Sequence, residues 1–320
     1  MRFESRILVR VLALVGAVWL LGGLPKPADT LLWNAVYDAG HAPLFGFVAL
    51  CILSLIRIVL PNMPAPKSYL FAFATTTALG AATELAQFFS VRDADAGDFI
   101  RNAAGAAVFL TFRAVLEKRP DGRPAVSSRG VRVGMSALAA LLLLAVFVPV
   151  ALRVSEYRAR DRSFPVLCEF ESRWERTFVQ PVSAGLEPLE LPAVFGEQAG
   201  RRCGRWTFYS RPWPGLALRE PFPDWSDYRT LRFEVWSDLK LPVRLTLMAE
   251  DRRHDPGSDD RARVRFIVEP GWNEIRIELN EIRDAPPSRP LDMDQIALVM
   301  LYAKSPEEPF TLWVDSIRLE

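Results

Sequence analysis

Three ionisable side chains in the N-terminal half lie in or next to strongly apolar segments. Glu84 falls near the end of one apolar segment, Asp98 lies just before the next, and His41 lies at the start of an earlier one. A charge at membrane depth is costly unless it is paired or hydrated, so it usually marks a functional position. We therefore treat His41, Glu84 and Asp98 as candidate catalytic acids or bases.

Two helical stripes of polar and small residues accompany these groups. The first stripe contains Thr77, Gly80, Glu84 and Gln87, and the second contains Asp98, Asn102 and Gly105. Spacings of three and four residues place each set on one helical face. Arg92 lies between the stripes, and we expect it to join Gln87 and Asn102 as binding groups beside the carboxylates.

Three interpretations of this cluster stay open. A satisfied polar network could lock the helices together without chemistry. Alternatively, Glu84 or His41 could serve as acid or base on the headgroup of a lipid-linked substrate at the outer membrane surface. The third interpretation is a binding pocket in which no bond is made.

The same residues form a combined motif. It consists of His41, then Glu84-x-x-Gln87-Phe88, Arg92 and Asp98-x-x-x-Asn102-x-x-Gly105. This motif resembles the VanZ-like family of small membrane proteins, over roughly residues 30–116. The resemblance implies a helical membrane domain of the bacterial envelope with a link to glycopeptide antibiotic tolerance. It implies no particular reaction.

The elements that must position these groups are apolar segments of membrane-crossing length. Residues 7–24, 43–60, 69–89, 99–116 and 135–152 each approach the roughly 20 helical residues that cross about 30 Å of hydrocarbon. We therefore predict an α-helical membrane bundle of about five transmembrane helices in residues 1–152, with the lipid bilayer as a partner.

Basic residues in the short loops indicate the orientation of this bundle. They cluster before the first segment, between the second and third, and between the fourth and fifth. Basic loops stay in the cytoplasm. The pattern predicts a multi-pass protein of a bacterial inner membrane, with a cytoplasmic N-terminus and a periplasmic or extracellular C-terminal domain. The arginines of residues 153–162 oppose this orientation, although charges leading into a long translocated domain carry less weight.

Composition argues against two classes of partner. A net charge of +1 provides no overall field for nucleic acid. Three cysteines and two histidines are too few for a zinc framework. We expect no nucleic-acid partner and no required cofactor.

Residues 164–320 follow a different pattern, and residues 153–163 are predicted to be a linker. Ile275, Ile277 and Leu279 alternate with Glu274, Arg276 and Glu278, as in a half-buried strand. Several similar segments are separated by clusters of turn residues. Many short strands without a convincing helix predict an all-β jelly-roll sandwich.

Short motifs in this half carry a second resemblance. They are Asp224-Trp225-Ser226-Asp227-Tyr228, Pro270-Gly271-Trp272-Asn273 and Leu312-Trp313-Val314-Asp315. Together they resemble carbohydrate-binding-module-like jelly rolls of the galactose-binding-like type. Because an aromatic ring can stack on a sugar, Trp213, Trp225 and Trp272 are candidate binding residues. Trp225 and Trp272 could instead close the core, which leaves Trp213 as the best exposed candidate.

Acidic and sulfur-containing residues suggest further features of the sandwich. Glu169, Glu171 and Asp315 would form a structural calcium site if the first and last strands lie together, because calcium prefers oxygen ligands. The acidic loop 250–260 is either another calcium site or a solvated hairpin. Cys168 and Cys203 could form a disulfide in an oxidising compartment.

These features favour an envelope protein that binds a ligand over one that catalyses a reaction, and they leave an enzymatic role open. Its membrane bundle would present a glycan-binding-like domain outside the cytoplasm, for polysaccharide or cell-wall handling. The alternative is a membrane-embedded hydrolase or transferase, which would use the Glu/His/Asp cluster on a lipid-linked envelope substrate.

Overall fold

The computed structural model describes residues 7–16, 26–88 and 96–320 of the chain. The chain divides into two compact units, Met1–Val154 and Ser155–Glu320. The first unit is helical and the second is a β-sandwich, which confirms the predicted order of the two fold classes.

Five helices are described before the sandwich. They are α1 (Ile7–Gly16), α2 (Leu31–Val59), α3 (Ala65–Phe88), α4 (Ala96–Leu116) and α5 (Arg129–Ser163). Within the described residues, α2, α4 and α5 are long and apolar enough to cross a membrane. The predicted span at residues 69–89 lies in α3, which is not among these three. Thr75, Thr76 and Thr77 make its middle less apolar. The predicted first span covers residues 7–24, and the structure describes its residues 7–16, which form α1. Residues 17–24 lie outside the described part.

Helix α2 is longer than predicted and packs closely on α4. It begins at Leu31, where the Thr30 side chain caps it by accepting from the Trp33 amide at 3.2 Å. A Cβ atom on Gly105 of α4 would lie 1.9 Å from the Ala42 carbonyl oxygen. Only a residue without a side chain allows this approach of the two backbones. The core of the unit is Val48, Ala49, Ile52, Leu53, Ile56, Ala72, Ala106 and Leu110.

One polar cluster joins the ends of α2, α3 and α4. Arg57 donates two hydrogen bonds to the Glu117 carboxylate, at 2.6 and 3.0 Å. The Tyr69 hydroxyl donates a third at 2.8 Å. A bidentate arginine–carboxylate pair fixes geometry as well as charge, so this cluster sets the relative position of the three helices at that end.

Residues 153–163, predicted as a linker, are the last turns of α5. From Ser155 onward these turns belong to the sandwich unit. The Tyr157 hydroxyl donates to the Glu220 carboxylate, and Arg160 donates to the Glu220 carbonyl oxygen at 2.6 Å. The Tyr157 ring also lies edge-on to Phe178, with 5.1 Å between centroids. The segment is therefore ordered by contacts that a flexible linker would not make.

Eleven strands are described in the second unit. They are β1 (Val166–Cys168), β2 (Val179–Val182), β3 (Ala184–Glu190), β4 (Arg202–Phe208), β5 (Gly215–Arg219), β6 (Thr230–Ser237), β7 (Val243–Asp251), β8 (Ala262–Val268), β9 (Gly271–Glu278), β10 (Ile296–Tyr302) and β11 (Phe310–Leu319). Three short helical segments accompany them, namely α6 (Glu175–Phe178), α7 (Leu279–Asp284) and a 3₁₀ segment (Ala193–Gln198).

The strands form two antiparallel sheets. The first sheet has the order β3-β4-β11-β6-β9, with β1 also paired to β11. The second has the order β2-β5-β10-β7-β8. The predicted alternation is confirmed in β9, where Ile275 and Ile277 are buried while Glu274 and Arg276 face solvent. Large side chains between the sheets form the core, including Trp206, Trp225, Phe208, Phe233 and Leu247.

A smaller apolar cluster covers part of the outer face of the first sheet. It contains Leu191, Cys203, Trp236 and Trp313. Phe195 of the 3₁₀ segment packs against Trp313, with 5.1 Å between ring centroids. The outer face of the second sheet carries another buried apolar cluster, which contains Ala217, Met300 and Tyr302. Beside this cluster, Tyr302 and Thr246 line a groove.

Candidate functional sites

The structure brings His41, Glu84 and Asp98 together. One ligand atom from each lies within 4.8 Å of the others. His41 comes from α2, Glu84 from the penultimate turn of α3, and Asp98 from the first turn of α4. A carboxylate is favourable in a first helical turn, because the helix dipole is positive there.

Two of these side chains are held by neighbours on α4. His41 Nδ1 lies 3.1 Å from Asn102 Oδ1, and Asn102 is 1% exposed. An amide oxygen can only accept, so His41 Nδ1 donates this hydrogen bond. Arg101 donates to Asp98 Oδ1 at 2.5 and 3.0 Å. The remaining atoms, His41 Nε2 and Asp98 Oδ2, face each other at 4.0 Å.

This arrangement can do two kinds of chemistry. Atoms up to 4.8 Å apart can share one divalent cation, since bonds of about 2.0–2.4 Å from opposite sides span that distance. In the part of the chain that the structure describes, this is the single group of three such side chains. Without an ion, the imidazole and the carboxylates can move a proton to or from a substrate. Arg92 and the side chain of Gln87 lie outside the described part.

The three predicted tryptophans have different environments. Trp225 is fully buried and donates its indole N–H to the Phe222 carbonyl oxygen at 2.7 Å, so it closes the core and cannot stack on a ligand. Trp272, on the edge strand β9, is 51% exposed. Trp213 is 48% exposed, and it has a φ of +55° between two prolines. A positive φ is uncommon for a bulky residue, and strained backbones of this kind cluster at ligand-binding and active sites.

Trp213 lies at one side of a groove on the second sheet. The Trp213 and Tyr302 rings meet edge-on at 5.5 Å, and Lys304 Nζ lies 6.0 Å from the Trp213 ring centroid. The groove has a volume of about 1040 Å³ and reaches from these rings across β7 and β8, past Thr246 and Arg265. An aromatic surface beside several hydrogen-bonding groups suits a polar ligand with apolar faces.

Most of this groove was not predicted from the sequence. Arg244 and Thr246 of β7 alternate with the core residues Leu245 and Leu247. The alternation therefore placed them on the outer face, as it did for Arg263 and Arg265 of β8. Nothing in it showed that Trp213 and Tyr302 would lie beside them, because that depends on the order of strands in the sheet.

The three carboxylates proposed for calcium are not gathered. Glu171 pairs with Arg202 at 3.7 Å, whereas Asp315 pairs with Arg201 at 3.1 Å. Glu169 makes a backbone contact, donating its N–H to Glu175 at 2.7 Å. In the described chain these three side chains do not form a group that could share one ion.

The acidic loop uses its carboxylates in ion pairs. Arg289 donates to both oxygens of Asp251, at 2.5 and 2.7 Å, and to Asp260 at 3.1 Å. His254 Nδ1 lies 2.5 Å from Asp260 Oδ1. The loop is thus tied to the segment before β10 by charge pairing, and its oxygens already have partners.

Cys168 and Cys203 are free thiols in the structure, and both are completely buried. Burial raises the pKa of Cys168 well above its usual range and raises the pKa of Cys203 to about 12. The reactive form of cysteine is the thiolate, so both residues are unreactive in the folded state.

Among the comparisons with known proteins, only the comparison with solved structures finds similar chains. No protein-family model matches the chain, and no curated protein matches it. An exo-β-agarase structure is 18% identical with a TM-score of 0.40, over 48% of this chain and 25% of that enzyme. The family 11 carbohydrate-binding module from Clostridium thermocellum, in complex with a β-1,3-1,4-mixed-linked tetrasaccharide, is 18% identical with a TM-score of 0.36. That alignment covers 48% of this chain and 93% of the module.

Proposed function

We propose that this protein is a membrane-anchored glycan-binding protein, in which apolar helices hold a sandwich that binds polysaccharide. The observation that carries the proposal is the groove beside Trp213 and Tyr302. It combines an exposed indole, a neighbouring aromatic ring and hydrogen-bonding side chains on a rigid sheet. Sugar rings have apolar C–H faces and polar edges, which match these two kinds of surface.

The membrane anchor is supported by the apolar helices. Helices α2, α4 and α5 have the length and composition to cross a bilayer. Many apolar side chains of α5 are exposed, including Leu138, Leu141 and Leu144. Exposed leucines at this density would be unfavourable in water, and lipid would cover them. We place the protein in a bacterial inner membrane, with the sandwich outside the cytoplasm. The VanZ-like role in envelope tolerance belongs to the same proposal.

A binding measurement on the full chain in detergent tests the glycan proposal. The probes are a neutral β-1,3-1,4-glucan and the acidic polymer polygalacturonate, immobilised on a sensor. We expect at least one probe to bind, and Trp213→Ala to weaken that binding at least tenfold, as truncation of a buried aromatic contact does. Tyr209→Ala is the control, because Tyr209 is 42% exposed and does not line the groove.

Two results would contradict this proposal. Absence of binding to either polymer by a folded, monodisperse protein would reject it. Loss of binding in Trp272→Ala with normal binding in Trp213→Ala would move the site to the edge of the first sheet.

The convergence of His41, Glu84 and Asp98 within 4.8 Å favours a second candidate function. In this alternative, the cluster activates water for hydrolysis of a lipid-linked envelope substrate. A carboxylate or His41 Nε2 takes the proton of the water, and the conjugate acid returns it to the leaving group. Asn102 and Arg101 act as positioning residues, since each holds one atom of a reacting side chain.

Turnover of a defined probe tests this second candidate. The full chain would be incubated with a polyprenyl diphosphate-linked saccharide, with and without a chelator, and the released phosphate and saccharide measured. Glu84→Gln should abolish turnover while the protein stays folded at normal levels. If Glu84→Gln instead prevents folding, or if wild-type protein releases neither product, the cluster is a structural network.

A further inference from the structure

The groove beside Trp213 carries a strong positive charge. Four of its lining side chains are cationic, namely Arg244, Arg263, Arg265 and Lys304. Among the described residues that line it, Glu281 is the one carboxylate. A cleft lined by side chains of one charge sign concentrates ligands of the opposite charge. The groove should therefore attract anions.

Strand register explains why the cations share one face. Thr246 pairs with Arg265 and Met248 pairs with Arg263, so both arginines project from the outer face of β8. Arg244 lies two residues before Thr246 on β7, which makes it a diagonal neighbour of Arg265. Like charges at these positions repel one another, and a bound anion would relieve that repulsion.

These cations are poorly neutralised by the protein. Arg244 and Arg265 are exposed, and within the described chain neither has an ion pair. Arg263 pairs with Asp259 at 2.7 Å, but both side chains are about half exposed, so this contact is weak. The Lys304 ammonium lies over the Trp213 ring.

The opposite sheet shows the contrasting arrangement. On its outer face Arg232 donates to Glu274 and Glu234, and Arg276 donates to Glu274 and Glu320. Arg201 likewise pairs with Glu234 and Asp315. Charge is balanced on the outer face of the first sheet, whereas the groove on the second sheet has an excess of cations.

We infer that the groove binds a polyuronate, a polysaccharide whose sugar rings carry carboxylates. This inference rests on the proposed glycan-binding function and adds the chemical class of the glycan. The guanidinium fork matches a carboxylate in two parallel hydrogen bonds. Tyr302, Thr246 and Arg265 lie in one row across three strands, so the backbones of Tyr302 and Arg265 are about 10 Å apart. One chain of sugars can stack on the aromatic end while its carboxylates meet the arginines.

A matched pair of probes tests the charge requirement. Polygalacturonate and its fully methyl-esterified form have the same rings and linkages, but the ester has no charge. We expect the full chain in detergent to bind polygalacturonate at least tenfold more tightly than the ester in low salt. High salt should remove most of that difference, because exposed charges are screened.

Substitutions then assign the effect to the groove. Arg265→Gln and Arg244→Gln should each weaken polygalacturonate binding about tenfold, the loss expected for a charge-assisted hydrogen bond. Binding to the methyl ester should change little. Arg205→Gln is the control, since Arg205 is also an exposed arginine, lies on the first sheet and pairs with Glu187 at 3.4 Å.

Each outcome separates the two proposals. Equal binding of acid and ester, unaffected by the arginine substitutions but lost in Trp213→Ala, would overturn the polyuronate inference and keep glycan binding. Equal weakening by Arg205→Gln would show adhesion to charge in general and overturn the inference. Absence of binding to all probes would reject the proposed function, and with it the inference.

Discussion

Single buried charges in the sandwich differ in how well the protein compensates them. The Asp251 side chain has no solvent exposure, and Arg289 and backbone amides surround it. Burial raises the pKa of Asp251, but the hydrogen bonds from Arg289 and the amides outweigh it and hold the pKa below its usual value. Asp315 is nearly as buried and has fewer donors, and burial raises its pKa to about 7.

We predict that Arg289→Ala strongly destabilises the sandwich. Removing the guanidinium leaves the Asp251 carboxylate buried without its cation, which should cost about 3 kcal/mol in the free energy of unfolding. Thermal or denaturant unfolding of the full chain, followed by tryptophan fluorescence, measures the change. Arg283→Ala is the control, because the pair of Arg283 and Asp284 is exposed and should contribute little. Equal stability of the two variants would contradict the prediction.

Asp315 should make the stability of the sandwich depend on pH. Its pKa is about 7 in the folded state and about 3.9 in the unfolded chain, so between these values the folded state binds more protons. The contribution of Asp315 to the free energy of unfolding is therefore greatest below pH about 4. This contribution falls as pH rises towards 7, by at most about 1.4 kcal/mol per pH unit. Asp315→Asn should flatten this slope and stabilise the protein above pH about 7. An unchanged slope in this variant would show that Asp315 does not titrate in this range.

Helix and strand contacts determine where the two candidate sites form. In the helical unit, α4 approaches α2 at Gly105, three residues after Asn102, which holds His41. The close backbone contact thus supports the polar cluster next to it. In the sandwich, β7 lies between β10 and β8 and connects the aromatic side of the groove with its arginines.

We predict that Gly105→Ala destabilises the helical unit. The new Cβ would meet the Ala42 carbonyl oxygen at 1.9 Å, so the helices must separate, at a cost of about 1–3 kcal/mol. Gly40→Ala is the matched control, because a Cβ there meets nothing within 4 Å and alanine is the better helix former. Thermal stability of the purified full chain should fall in the first variant and stay equal or rise in the second. A rise in both would show that α2 and α4 are not in close contact.

At the scale of the whole molecule, the proposed function depends on which side of the membrane each part occupies. The groove can meet exported or envelope polysaccharide only if the sandwich lies outside the cytoplasm. The basic loop between α4 and α5 should then lie inside, since α5 separates it from the sandwich.

Two serine-to-cysteine variants test this topology. Ser127 in that loop and Ser258 in the sandwich are both exposed, and the natural cysteines of the sandwich are buried. In spheroplasts, a membrane-impermeant maleimide should label Ser258→Cys at once and label Ser127→Cys only after permeabilisation. Wild-type protein supplies the background from Cys51, Cys168 and Cys203. The reverse pattern would place the sandwich in the cytoplasm and contradict the proposed location.

Local pattern accounts for much of the architecture. Apolar runs of about 20 residues are typical of helices, and alternating residues such as Ile275 and Glu274 are typical of a strand with one buried face. The division into a helical part and a β-sandwich could therefore be predicted. The helical stripes likewise placed Glu84 and Asp98 on definite faces, because helical spacing is local. Residues 153–163 were less predictable, since their helix is stabilised by contacts with Glu220 and Phe178.

Tertiary structure alone decided which residues became sites. Trp213, Trp225 and Trp272 are chemically alike, yet one is buried in the core and two are exposed, because burial depends on which sheet face and which loop each residue occupies. Tyr302 and Arg265 belong to one groove only because β7 lies between their strands. Glu171 and Asp315, two of the carboxylates predicted to bind calcium, pair instead with Arg202 and Arg201. Contacts between residues far apart in sequence have no local signal, so they appear only once the strands are ordered.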